Sequence, residues 1–182
     1  MSAEPFASPD DPTALAATPA RELHTISLFV NDKPGVLVRV ALVFSRRGYN
    51  IESLVVSPSA HGGFSRMTIT CSGAHSTLEQ IIKQLAKLVD VVHAIDHTGD
   101  ERYETEVALV KLDVALDART QILQIAEHYK AKVVDYGAEQ LILRVYGQSD
   151  KLDSFIGLLR SFGIVELVRS GKILMARGDT TT

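Results

Sequence analysis

The chain has 182 residues, 46% of them apolar, a single cysteine and a formal net charge of -3. Those values describe one packed domain or two small ones rather than a disordered chain. They exclude an internal disulfide, a general attraction to nucleic-acid phosphates, and a membrane span, because the apolar runs fall far short of the roughly 20 residues a bilayer needs.

Residues 1–22 hold four of the six prolines and no apolar periodicity, so they are expected to be a disordered leader. They lack the basic start and apolar middle of a signal peptide, and Glu4, Asp10 and Asp11 argue against a transit peptide. A cytoplasmic setting is expected, with Cys71 as a small strand residue in MTITCS. His24 to Val30 reads as a strand. Val36, Leu37, Val40, Ala41 and Phe44 then fall at helical spacing, which predicts a helix from about Pro34 to Arg47, with Pro34 at its first position and Gly48 closing it. Tyr49 to Pro58 and Phe64 to Cys71 read as strands joined by a loop through Gly62 and Gly63. A second helix is expected from Thr77 to about Leu88, capped by Ser76 or Thr77, with Leu78, Ile81, Ile82, Leu85, Leu88 and Val89 inward. Asp90 to Thr98 returns as a strand.

Gly99 to Arg102 is a polar break, after which the same order recurs. Strands are expected at Thr105 to Asp113, Lys132 to Tyr136, Leu141 to Tyr146 and Ile164 to Val168, and helices at Ala118 to Tyr129 and Asp150 to Phe162. Ile173 to Ala176 is a candidate for one more strand. The fold class is therefore α+β, two ferredoxin-like βαββαβ units, with domains over 23–98 and 105–178, a linker over 99–104 and a tail over 179–182. The open face of each four-stranded sheet needs a cover, and self-association would supply it.

The strongest site candidate is the corner Asp32-Lys33-Pro34-Gly35 before the first helix. The N–H groups of Gly35, Val36 and Leu37 lie at the positive end of a helix dipole, where a carboxylate fits, and Asp32 and Asn50 could receive the ammonium of the same small molecule. Taken alone, the corner reads more readily as an ordinary strand-to-helix turn than as a pocket. His93 and His97 invite a metal, but VVHAIDH reads as a strand, which would hold them about 13 Å apart, so no metal site is expected. Arg46 and Arg47 read as a solvated helix end, and Arg177-Gly178-Asp179 as a coincidental adhesion tripeptide. No nucleophile, base and orienting group occur together, so no catalytic residue is expected. An RNA-recognition domain shares the strand order, but Phe64 is the only aromatic in FSRMTITCS.

The words NDKPGVLVRVALVFSRRGYNIESLVV, SRMTIT, LEQIIKQLAKLVDV, ALVKLDV and RSGKILMARG, in this order, resemble the small regulatory subunit of acetohydroxyacid synthase, also called acetolactate synthase, over roughly residues 23–178. The resemblance implies an N-terminal ACT domain, an amino-acid-sensing βαββαβ unit, and an ACT-like C-terminal domain. It implies a homodimer through the ACT domains and a large catalytic partner that carries thiamine diphosphate, magnesium and FAD, with no cofactor on this chain. It implies that the chain raises the partner's activity and confers feedback inhibition by valine, or by leucine or isoleucine. The effector positions it implies are Asp32, Gly35, Val36 and Leu37 of one chain, with Asn50 and Ile51 from across the dimer. Relatives often carry Glu and Asn where this chain has Asn31 and Asp32; an acid at 32 stands to pair with the effector's ammonium or to repel its carboxylate. The alternative is a free-standing ACT-type module that controls a different partner.

Overall fold

A computed structural model describes residues 23–99, 102–178 and 182; the expected leader lies outside the described residues. The first unit runs β1 (Leu23–Asn31), α1 (Val36–Ser45), β2 (Asn50–Pro58), β3 (Phe64–Ser72), α2 (His75–Leu85) and β4 (Val91–Asp96). Its strands form an antiparallel sheet in the order β2-β3-β1-β4. Alternation along the strands sends Ile26, Leu28 and Val30 of β1 and Met67, Ile69 and Cys71 of β3 to one face. Val36, Val40 and Phe44 of α1 and Leu78, Ile81 and Leu85 of α2 recur at helical spacing and close over them as one core.

The second unit repeats the plan with β5 (Arg102–Asp113), α3 (Arg119–His128), β6 (Lys132–Tyr136), β7 (Gln140–Gly147), α4 (Ser149–Leu159) and β8 (Ile164–Arg169), in the sheet order β6-β7-β5-β8. Its core joins Ala108, Val110 and Leu112 to Ile122, Phe155 and Leu159. A short strand, β9 (Ile173–Ala176), pairs with the beginning of β5. The α+β class and the two βαββαβ units are thus as expected.

Several boundaries differ, each for a local reason. Helix α1 begins at Val36 because Gly35 is its cap, with φ 82° in the left-handed region, so Pro34 precedes the helix instead of opening it. Its other end closes as expected, Tyr49 N–H donating to Phe44 C=O at 3.1 Å and Gly48 N–H to Ser45 C=O at 3.1 Å. Helix α2 starts after Ala74 with no side-chain cap, so Ser76 and Thr77 lie inside its first turn. It ends at Leu85, and the turn that follows leaves Val89 96% exposed instead of inward. Strand β5 starts at Arg102, within the expected break, because Arg102 to Thr105 pair with Ala176 to Ile173. That partner is too distant in sequence to read locally.

Part of the first sheet's open face is met by the chain itself. Residues opposite one another in a ladder share a face. Thr25 and Ser53 flank Thr70, and Ser27 and Val55 flank Thr68. Thr25, Ser27 and Thr70 are buried, the turn at Gly171 rests on Ser53 and Val55, and Thr182 C=O accepts from His93. Arg102 donates to His97 C=O, and Glu104 accepts from Arg102 Nε at 2.9 Å and Lys172 Nζ at 3.1 Å. Burial by itself would raise the Glu104 carboxyl, but those two donors and their charges outweigh it and hold the group below the usual carboxylate range.

Two outcomes follow from this layer. The Thr70 hydroxyl is buried without a hydrogen-bond partner, and such a group costs about 1–3 kcal/mol. Thr70→Val, nearly the same in shape, should therefore raise the melting temperature by about 2–4 °C, measurable by calorimetry. A carboxyl whose folded pKa is lowered contributes stability above its unfolded pKa and loses it as pH falls through the folded value. The stability gap between the natural chain and Glu104→Gln, followed by urea titration, should shrink below the usual carboxylate range and be full at neutral pH.

Candidate functional site

The corner between β1 and α1 is built by backbone bonds. Asn31 N–H donates to Asp90 C=O at 2.8 Å and Asp32 N–H to Gly63 C=O at 2.9 Å, which ties the end of β1 to the neighbouring loops. Lys33 N–H then donates to Asn31 C=O at 3.0 Å and Val36 N–H to Lys33 C=O at 3.4 Å, turning the chain into the helix. Val36 is therefore not one of the open donors: its N–H is used in the turn and its side chain is in the core, 2% exposed. The donors that face outward belong to Gly35, Leu37 and Val38, because the first backbone bond of the helix is Arg39 N–H to Gly35 C=O at 3.2 Å. Asp32 and Gly35 are exposed, and Leu37 keeps 41% of its surface. Among the described residues no hydrogen bond or ion pair engages the Asp32 carboxylate, and the positive end of α1 lies beside it.

Asn50 and Ile51 are elsewhere. Asn31 pairs with Phe64 at one end of the β1–β3 ladder, and Leu23 with Ser72 at the other. Asn50 also pairs with Ser72. The corner and Asn50 thus stand at opposite ends of the same sheet, separated by the length of β1 from Leu23 to Asn31, roughly 26 Å. Within one chain the expected site residues form two groups, not one.

The Asn50 end has its own construction. A bulge between Ile51 and Ser53 makes Glu52 the extra residue, and Glu52 Oε1 accepts from Asn50 Nδ2 at 3.2 Å and from Ser72 Oγ at 2.8 Å. Tyr49 packs on Gly73, where any side chain would collide with the ring, and its hydroxyl donates to Ala74 C=O. Neither Glu52 nor Tyr49 stands out by sequence spacing. A bulge breaks the period-2 alternation, and that irregularity is the only local signal for Glu52.

Other candidates resolve simply. His93 lies in β4, as VVHAIDH required, and stacks on Phe29 with ring centroids 5.3 Å apart, while His97 Nε2 and Ser27 Oγ are 2.7 Å apart. Among the described residues no group of three or more His, Cys, Asp and Glu could hold a metal, and no helix is long and apolar enough to cross a membrane. Arg47 donates to Gln80 at 2.5 Å and, with Arg46, Val43 and Gln84, lines a hollow of about 440 Å³ at the end of α1. Phe64 does not stand alone: Phe29 stacks on it at 5.0 Å and Arg66 lies over Phe29. These rings stack against one another across neighbouring strands.

Known proteins match both units. Residues 26–93 match the model of the AHAS small subunit-like ACT domain, and residues 105–178 that of the small subunit of acetolactate synthase. The chain belongs to the acetolactate synthase small-subunit family. A probable acetolactate synthase small subunit of Archaeoglobus fulgidus is 41% identical over 156 residues, covering 86% of this chain and 98% of the relative. The acetolactate synthase small subunit of Mycolicibacterium smegmatis is 42% identical over 155 residues, with 85% and 91% covered. The crystal structure of the acetolactate synthase small subunit from Thermotoga maritima superposes with a TM-score of 0.78 at 36% identity, covering 87% of this chain and 99% of that one.

As a member of the acetolactate synthase small-subunit family the chain has a regulatory role, and its first unit is an ACT domain. Cys71 belongs to that domain's core and to no reactive site. It is 0% exposed, and burial first, then the charges of Asp96 and Glu52, push its thiol up to about 12. A colorimetric thiol reagent at pH 8 should leave the folded chain unmodified and titrate one thiol in denaturant; rapid labelling of the folded chain would contradict this placement.

Proposed function

We propose that the chain is the non-catalytic regulatory subunit of an acetolactate synthase in valine, leucine and isoleucine synthesis in the cytoplasm. It raises the activity of the large catalytic subunit, which carries thiamine diphosphate, magnesium and FAD. It also makes that enzyme sensitive to a branched-chain amino acid, valine first, bound between two ACT domains. The observation that carries a two-chain pocket is the separation of its halves along one sheet.

Strand β2 pairs only with β3 among the described strands, so its outer edge is open to another strand. A second copy whose β2 ran antiparallel beside it would continue the sheet. Two-fold symmetry would then set the Asn50 end of each chain near the Asp32–Gly35 end of the other, giving two equal pockets. Arg39 leaves α1 on the flank toward Asp90, at 2.5 Å, so Leu37 and Ala41 lie on the opposite flank, toward β2. Leu37 at 41% and Val56 at 44% exposure supply apolar surface for such an interface.

In that pocket the N–H groups of Gly35, Leu37 and Val38 receive the effector's carboxylate, and Asp32 and Asn50 its ammonium. The aliphatic side chain meets Leu37 and Ile51. Inhibition requires that the effector bind the inhibited assembly better than the active one, and the catalytic subunit must then change effector affinity by the same factor.

The test is co-expression with the large subunit, assayed with and without each branched-chain amino acid. Gly35→Asp places a carboxylate where the effector's own belongs, in a left-handed position that Asp tolerates better than most residues. The valine concentration for half inhibition should rise at least about tenfold while activation is retained. Should that variant lose activation as well, Asn50→Ala, which leaves α1 untouched, decides: full valine sensitivity there overturns the pocket.

A further inference from the structure

The turn between β8 and β9 touches the ACT sheet at one place. Gly171 has φ 80°, and a Cβ built on it would stand 2.9 Å from Ser53 Cβ, 3.0 Å from Ser53 Oγ and 3.3 Å from Val55 Cγ2. The turn's backbone therefore lies directly on β2, with no room for a side chain between.

Both sides of this contact are held. On the turn's side, Ser170 N–H donates to Val107 C=O at 2.9 Å and Val107 N–H to Ser170 Oγ at 3.0 Å. Lys172, 9% exposed, reaches Glu104 at 3.1 Å, and Ile173 continues into the ladder with Thr105. The turn cannot shift unless β5 shifts with it. On the sheet's side, Ser53 is the first residue past the bulge, and the extra residue, Glu52, holds the Asn50 amide. A bulge sets the local bend of its strand, so pressure on Ser53 re-aims Asn50 and Ile51.

We propose that the Ser170–Lys172 turn is a positioning element for the Asn50–Ile51 half of the effector pocket, through which effector binding and the seating of the C-terminal unit on the ACT sheet control one another. This rests on the pocket described under Proposed function and adds how its state is passed on. The two arrangements are the turn seated on Ser53 and the turn displaced from it. An effector that prefers Asn50 in its seated position favours the first, and by linkage the seated turn strengthens effector binding.

The test uses the full chain, valine as probe, calorimetry for affinity and hydrogen exchange for the turn. Ser53→Leu drives a long side chain into the turn and should weaken valine binding about tenfold, within the usual range of coupling between sites. Ser53→Ala, which keeps the volume small, should bind as the natural chain does. In the natural chain valine should slow exchange at the Ile173–Ala176 amides, and Ser53→Leu should abolish that protection. The exchange arm needs no variant, so a Ser53→Leu chain that failed to fold would still leave the proposal open to refutation. Unchanged valine affinity in folded Ser53→Leu, or no valine effect on β9 exchange, overturns the proposal. If Gly35→Asp abolishes valine binding at the same time, the pocket stands and only the coupling falls; a natural chain that binds no branched-chain amino acid removes both.

Discussion

Groups at opposite ends of a sheet cannot meet within one molecule, and in this chain the β1–β3–β2 register puts the two halves of the proposed effector pocket in that position. Asn31 and the helix corner lie beside Phe64, whereas Asn50 lies beside Ser72. Hydrogen-bonded ladders are stiff along the strand, and slipping the register by one residue would turn Ile26, Leu28 and Val30 out of the core. The separation is thus maintained by the burial that holds the domain together. In the proposed dimer the open β2 edge would meet that constraint with a second copy, by backbone pairing that needs no special side chains.

The corner itself depends on one backbone conformation. Gly35 in the left-handed region lets Lys33 and Pro34 make the turn and points the first helix donors outward, while Val36, immediately after it, is anchored in the core. A ligand's carboxylate would thus meet donors whose positions are set before binding, with little ordering cost. The same economy appears at the far end of α1, where backbone bonds from Gly48 and Tyr49 close the helix.

The second unit meets the first at the start of β5, where Arg102 donates to His97 C=O, and β5 serves three partners. From Glu106 onward it pairs with β7 and from Ala108 to Leu112 with β8 inside its own sheet, and from Arg102 to Thr105 with β9. The surroundings of this strand are polar. Within the second unit Glu104 takes Arg102 and Lys172, and Glu106, 5% exposed, takes Arg169 Nη2 at 2.5 Å and Ser149 Oγ at 2.7 Å. Buried carboxylates are tolerated only when nearly every oxygen is paired, and these donors supply that pairing.

Sequence alone determined the element order, the two βαββαβ units, the core positions Val36, Val40, Phe44, Leu78 and Ile81, and the corner at Gly35, because period-2 and helical patterns and glycine or proline punctuation are local properties. It also carried the family, through words such as RRGYNIESL. Only the tertiary structure decided that Val36 spends its N–H in the turn, that Glu52 is a bulge holding Asn50, that β5 begins at Arg102, and that Gly171 rests on Ser53. The Val36 bond to Lys33 depends on the backbone angles of the turn at Gly35, and the others on a partner distant in the chain or on a register shift of a single residue; none of these follows from a regular period in the sequence.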